Sequence, residues 1–293
     1  MTEGAQNQAT PVLVRLRALR PGLAPAEERV AEVVLGDPRV VAAMTITELA
    51  DRASTSETSV LRFARRLGLK GYPELRLALA EASADNGRLT HPVGDITADD
   101  SIDEIVAKVT GAGARAVEET GQQLDREVLA EVARLVAGAR RVDLYGAHAS
   151  GMVAGDLQQK LHRIGVVAYA WSDPHQALAS ATLLGAGDVA IAVSHTGTTT
   201  EAIEVLEAAA GRGAATVAIT NFPASPLGRT AGLVLTTAAD ETPLRSGAMA
   251  SRIAALMVVD CLFLAAAQHR YDRAVEAVAA TREAVRGHHR SAR

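Results

Sequence analysis

Two stretches of this 293-residue chain concentrate small hydroxylated residues between apolar runs: Gly146-Ala147-His148-Ala149-Ser150-Gly151 and Ser194-His195-Thr196-Gly197-Thr198-Thr199-Thr200. Hydroxyls donate hydrogen bonds without carrying charge, so Ser150, Ser194, Thr196 and Thr199 suit the oxygens of a phosphorylated small molecule. Each stretch follows a predicted strand and opens a predicted helix, whose first N–H groups and positive dipole end favour an anion. Ser and Thr at helix starts are also ordinary N-caps. Two such loops at corresponding strand ends favour a ligand site over mere capping. The spacing of Gly146 and Gly151 is that of a nucleotide-phosphate loop, but Met152 and Val153 stand where Lys and a hydroxyl residue are required, and no GxGxxG occurs there. ATP hydrolysis and nicotinamide chemistry are thereby disfavoured, and Ser150 lacks the GxSxG elbow of a serine hydrolase. His148, His162, His175 and His195 are scattered and His288-His289 lies in a basic tail, so no metal spacing emerges and no cofactor is expected. His195, inside the hydroxyl loop, is read as a ligand donor, with a general-acid role as the alternative.

A second chemistry is suggested nearer the start. Within residues 58–76, Arg62, Arg65, Arg66, Lys70 and Arg76 face a single acid, Glu74. Thr45 and Glu48 form a capping-box pair for one helix, Ser54-Thr55-Ser56 break it, and Ser56 caps a further helix from Glu57 to Leu67. On that helix Val60, Phe63, Ala64 and Leu67 recur at spacings of three and four and face a core. Ser59, Arg62 and Arg66 share the opposite face, flanked by Thr58 and Arg65. Hydroxyls at the helix start can reach base edges while Arg and Lys neutralise phosphates, so helix, short turn, helix reads as a DNA-binding unit. A solvated surface helix in a plain bundle has the same pattern.

These groups need two kinds of framework. Residues 11–80 read as short helices only: Val12 to Leu19, then one opened by Pro25 and ended near Gly36-Asp37-Pro38, then the capped pair. Residues 81–100, polar and carrying Asn86, Gly87, Pro92 and Gly94, read as a linker. From 101 onward, two helical stretches over 102–138 precede alternating elements: strands Arg141–Tyr145, Val166–Ala170, Val189–Val193, Thr216–Thr220 and Leu233–Thr236, with helices Gly151–Ile164, Ala177–Leu184 and Glu201–Gly211. The expected fold class is α/β, an all-α N-terminal domain (1–80), a linker (81–100), and a doubly wound, mostly parallel sheet covered on both faces (101–293).

Composition agrees. Hydrophobic residues make up 48% and charged residues 22%, so the chain folds rather than staying disordered. The net charge is +2 over residues 1–80, −4 over 81–100 and −2 thereafter. One cysteine, Cys261, closes no internal disulfide, the N-terminal residues lack signal-peptide order, and the apolar run Ile253–Ala267 contains Asp260 and falls short of a membrane span. A soluble cytoplasmic protein without a membrane partner is expected.

From about residue 12 to 267 the chain resembles the RpiR/MurR/HexR-type bacterial transcriptional regulators. AEERVAEVVLGDP and MTITELADRASTSETSVLRFARRLGLKGYPELRLALA are similar to their helix-turn-helix domain. GAHASG, DVAIAVSHTGTTTE and TPLRSGAMASR are similar to the sugar isomerase (SIS) domain. The resemblance implies a repressor-like regulator of sugar metabolism genes rather than an enzyme, bound to double-stranded operator DNA as a homodimer or homotetramer and controlled by a phosphorylated sugar. It implies a ligand set of Gly146, Ser150, Ser194, His195, Thr196, Gly197, Thr199 and Ser246, and a DNA-facing set of Ser56, Thr58, Ser59, Arg62, Arg65, Arg66 and Lys70. Two departures stand out: Ser54 replaces the usual turn Gly, and Thr198 replaces the acid common in the second loop. The alternative is a sugar-phosphate isomerase or lyase of the same fold. Such an enzyme needs a base beside the sugar carbons, and neither loop holds an acid, although Glu201 and Glu241 are close in sequence.

Overall fold

The computed structural model describes residues 11–85, 95–241, 248–284 and 286. The chain divides into two compact units, 1–123 with 242–244, and 124–241 with 245–293. This division falls later than the expected start at 101. The helix Ile102–Gln123 belongs with the first unit, where Glu119 accepts from Arg17 at 2.6 Å. The polar stretch before that helix signals a break in the chain, not a change of core. Of the expected linker, residues 81–85 are helical and 86–94 lie outside the described residues.

In the first unit, α1 (Val12–Leu19), α2 (Pro25–Gly36), α3 (Pro38–Ala43), α4 (Ile46–Arg52), α5 (Glu57–Arg66) and α6 (Tyr72–Asp85) precede α7 (Ile102–Gln123). Gly36-Asp37-Pro38 does end α2, but the same residues start another helix. Asp37 accepts from the Val40 N–H at 3.0 Å as an N-cap, and Pro38 occupies the first turn, where its missing N–H costs nothing. Leu16, Val34, Leu49, Val60, Phe63, Leu67, Leu75 and Leu79 close one core. Each such side chain contributes about 1.5–3 kcal/mol on burial.

The second unit is a three-layer sandwich. Helix α8 (Arg126–Gly138) leads into β1 (Arg141–Gly146), α9 (Ala149–Arg163), β2 (Ala168–Trp171), α10 (Pro174–Ala181), β3 (Asp188–Val193), α11 (Thr200–Gly211), β4 (Ala215–Thr220), α12 (Pro226–Thr230) and β5 (Leu233–Thr236). Helices α13 (Ala250–His269) and α14 (Tyr271–Ala284) follow. All four strand pairings are parallel, in the order β2-β1-β3-β4-β5. The two-residue period of β3 sorts side chains by size. Val189, Ile191 and Val193 pack with α8, α9 and α13, whereas Ala190 and Ala192 admit α10 and α11 on the other face. Helix α13 spans 20 residues and is long and apolar enough to cross a membrane by composition. Its Ala255, Val258, Val259, Leu262 and Ala266 instead complete the core beneath the sheet.

Buried charge pins the strand starts. Asp188 accepts from Arg140 at 3.0 and 2.5 Å and from the Gly185 N–H at 2.9 Å. Burial works against its ionisation, but these donors hold its carboxyl below the ordinary carboxylate range.

Candidate functional site

In the first unit, the helix pair α4–α5 presents the basic face. Thr45 accepts from the Glu48 N–H at 3.3 Å while Glu48 accepts from the Thr45 N–H at 2.7 Å, which fixes the start of α4. The Thr45 hydrogen bonds hold the exposed Glu48 carboxyl below its usual range. Thr47 donates to Glu57 at 2.6 Å across the turn. Ser54 takes the left-handed conformation, φ +48°, that Gly provides more readily. Arg29 of α2 holds it there, donating to the carbonyls of Ala53 and Ser54, both at 3.1 Å.

Ser56, Thr58, Arg62, Arg65, Arg66 and Lys70 are exposed, as a nucleic-acid surface needs. Ser59 is not. It is 5% exposed, and its hydroxyl lies 3.1 Å from the Ser56 hydroxyl and accepts from Arg62 at 3.3 Å. Helical spacing puts Ser59 beside Arg62, but the N-cap at Ser56 turns it inward, so it positions Arg62 and presents no surface of its own. Arg66 is also partly committed, donating to the Gly22 carbonyl at 2.5 Å.

In the second unit, the strand order makes β1 and β3 neighbours and sends their connections to opposite faces, which opens a crevice at their carboxyl ends. The two hydroxyl loops leave from these strands. Backbone packing sets both shapes. A Cβ on Gly146 would lie 2.5 Å from the Ser150 carbonyl, and one on Gly151 would lie 2.7 Å from the Gly146 oxygen. The GxxxxG spacing therefore has a packing cause: it lets the end of β1 touch the start of α9. His148 enters α9 at φ +50°, a conformation costly for a side-chain-bearing residue and met most often at functional sites.

In the second loop Gly197 has φ +63°, and an added Cβ would lie 2.0 Å from the Ser225 hydroxyl. Ser194 is 3% exposed; its hydroxyl accepts from the Gly197 N–H at 3.1 Å and lies 2.9 Å from that of Thr199. Ser194 thus shapes the loop, while Thr196 and Thr198, 2.8 Å apart, form its exposed rim. Ser246 lies outside the described residues.

Ser150 and His195 do meet. With Val153, Thr237, Ser251 and Arg252 among others, they line one small cleft of about 20 Å³ at the sheet edge. The His195 carbonyl accepts from the Asn221 N–H at 3.1 Å and the Thr220 hydroxyl at 3.2 Å, and its ring meets Phe222 edge-on at 5.6 Å. Burial pushes its imidazole below the ordinary value, against the opposing fields of Glu241 and Asp240, which favours the neutral ring. Glu241 accepts from the Ser251 N–H at 2.8 Å and so caps the start of α13. Arg252 supplies the cation that both loops lack. Sequence reasoning missed it because it lies about a hundred residues from Ser150; its only signal was its place at the end of TPLRSGAMASR. Among the described residues no group of three or more His, Cys, Asp or Glu side chains gathers to hold a metal.

Residues 10–86 match the rpiR-family helix-turn-helix domain and residues 135–265 match the SIS domain. An HTH-type transcriptional regulator of Caldanaerobacter subterraneus subsp. tengcongensis is 37% identical over 274 residues, 94% of this chain and 96% of that protein. The bifunctional protein glk of Paraburkholderia xenovorans is 34% identical over 92% of this chain, which spans 42% of glk. The structure of the Vibrio vulnificus NanR protein complexed with ManNAc-6P superposes with a TM-score of 0.60 at 32% identity, covering 95% of this chain and 99% of NanR.

Proposed function

Because the chain belongs to the rpiR family of helix-turn-helix regulators that carry a SIS domain, we propose that it binds operator DNA through α5 and that a phosphorylated sugar in the SIS unit sets its DNA affinity. One observation carries the reading: Ser150, His195 and Arg252, from three separate stretches, line one cleft at the sheet's carboxyl edge. The same chain exposes Arg62, Arg65 and Lys70 on and beside a capped helix. The ManNAc-6P carried by NanR supports an effector with one phosphate and a sugar body.

In this reading the short rim hydroxyls of Thr196 and Thr198, with Ser150 and Arg252, receive the phosphate. Ser194 and Gly197 keep the loop open for it. Two heads of a dimer sit on a palindromic operator. The effector acts by binding one of two head arrangements more tightly than the other, since a ligand with equal affinity for both shifts nothing. The test is a DNA-binding titration on the region upstream of the protein's own gene, repeated with a panel of phosphosugars. A phosphosugar-dependent change in affinity, lost in Arg252→Ala, supports the reading. Turnover of a phosphosugar by the purified protein would favour an isomerase or lyase instead.

A further inference from the structure

Among the described residues, three polar atoms near the cleft are buried without a hydrogen-bond partner: Nδ1 of His195, Oε2 of Glu241 and Oγ of Ser251. They belong to one neighbourhood. Ser251 and His195 line the same cleft, Glu241 holds the Ser251 N–H, and the Glu241 carboxylate acts on the His195 ring. Ser251 is 4% exposed, so its hydroxyl has little access to bulk water. Buried polar atoms are normally satisfied, and such a cluster beside an anion-binding loop marks a place where a partner enters.

The donor and acceptor types select that partner. An ionised Glu241 can only accept, so whatever meets Oε2 must donate. Ser251 serves either way, and a neutral His195 ring offers one donor and one acceptor nitrogen. Arg252 on the same cleft is engaged by the phosphate in the proposed function, so a second anionic group would be set against Glu241, with Asp240 adding its own negative field at His195. The space of about 20 Å³ takes roughly one water-sized group, so a single hydroxyl enters it while the phosphate stays outside, with the exposed rim hydroxyls of Thr196 and Thr198. We propose that Glu241, Ser251 and His195 form a specificity subsite that receives a single hydroxyl from the uncharged end of the effector, selecting monophosphorylated sugars or polyols against phosphorylated sugar acids. This deepens the proposed function and rests on its phosphate site.

Calorimetric titration of the full chain tests it with inorganic phosphate, glucose 6-phosphate, fructose 6-phosphate, glucitol 6-phosphate and 6-phosphogluconate. At least one neutral-ended hexose phosphate is expected to bind on the order of tenfold or more tightly than 6-phosphogluconate. Glu241→Gln keeps an oxygen for the Ser251 N–H and removes the charge, so it should move that ratio about tenfold toward the acid. Ser251→Ala should weaken the neutral sugar severalfold and leave inorganic phosphate unchanged. Each ratio is read within one protein preparation, so partial misfolding of a variant does not mimic it. Equal binding of 6-phosphogluconate by the unaltered protein, or an unmoved ratio in Glu241→Gln, overturns this inference alone. Failure of every phosphorylated compound to bind removes the phosphate site beneath it as well.

Discussion

Replacing Gly197 by Ala probes how the second hydroxyl loop is held. Two costs combine at this position. An L side chain in the left-handed region costs about 1–2 kcal/mol, and the new Cβ would lie 2.0 Å from the Ser225 hydroxyl and 2.5 Å from its Cβ. Displacing that packed neighbour adds about 1–3 kcal/mol. Gly187, in the same unit at φ +86° with nothing within 4 Å of an added Cβ, carries the first cost alone. Both substitutions restrict the unfolded chain equally, so that contribution cancels. Urea denaturation should therefore show Gly197→Ala less stable than Gly187→Ala by about 1–3 kcal/mol, roughly 2–4 °C of melting temperature for each kcal/mol in a unit of this size. Phosphosugar affinity should fall in the first variant only. If the two variants unfold together, Ser225 is not packed against the loop and the shape argued for the site is wrong.

Further outcomes follow from other parts of the molecule. Ser54→Gly relieves a positive φ in the helix-turn-helix turn and should raise the stability of the first unit by up to about 1 kcal/mol; a loss, read by chemical denaturation, would mean that the Ser54 side chain holds the turn. Arg62→Ala and Arg65→Ala should each lower the slope of log affinity against log salt for operator DNA by about 1 and spare phosphosugar binding; an unchanged slope would move the DNA face elsewhere. His195 titrates below its unfolded value because of burial. Its neutral ring therefore contributes stability that is present above about pH 6.5 and declines as pH falls from there toward the folded value. His195→Asn should flatten the pH dependence of unfolding in that window, and an unaltered profile would show that the ring is open to water.

Legibility from sequence followed the range of the interactions. Local rules located the capped starts of α4 and α5, and strand-helix alternation located the parallel sheet, with β5 placed at its observed bounds. Short elements with mixed signals were harder. Asp37-Pro38 terminates one helix and begins the next, and the five-residue α12 is too short to show a period. The helix expected over 177–184 starts instead at Pro174, where Asp173 accepts from the Gln176 N–H at 2.8 Å. At the site, the hydroxyl loops were legible because their composition is local. Arg252 and Glu241 were not credited with a place there, because only the order of strands and the start of α13 bring them to His195. Ser59 was misplaced for a different reason: helical spacing assigns it a face, but its hydrogen bonds with Ser56 and Arg62 decide which way it turns.

The close backbone approaches at Gly146, Gly151 and Gly197 divide the pocket into an unalterable frame and a changeable rim. Thr196 and Thr198 are exposed along that rim, so exchanges there leave the frame intact. A lineage built on this scaffold can therefore vary its outer hydroxyls without disturbing the glycines on which the two loops fold.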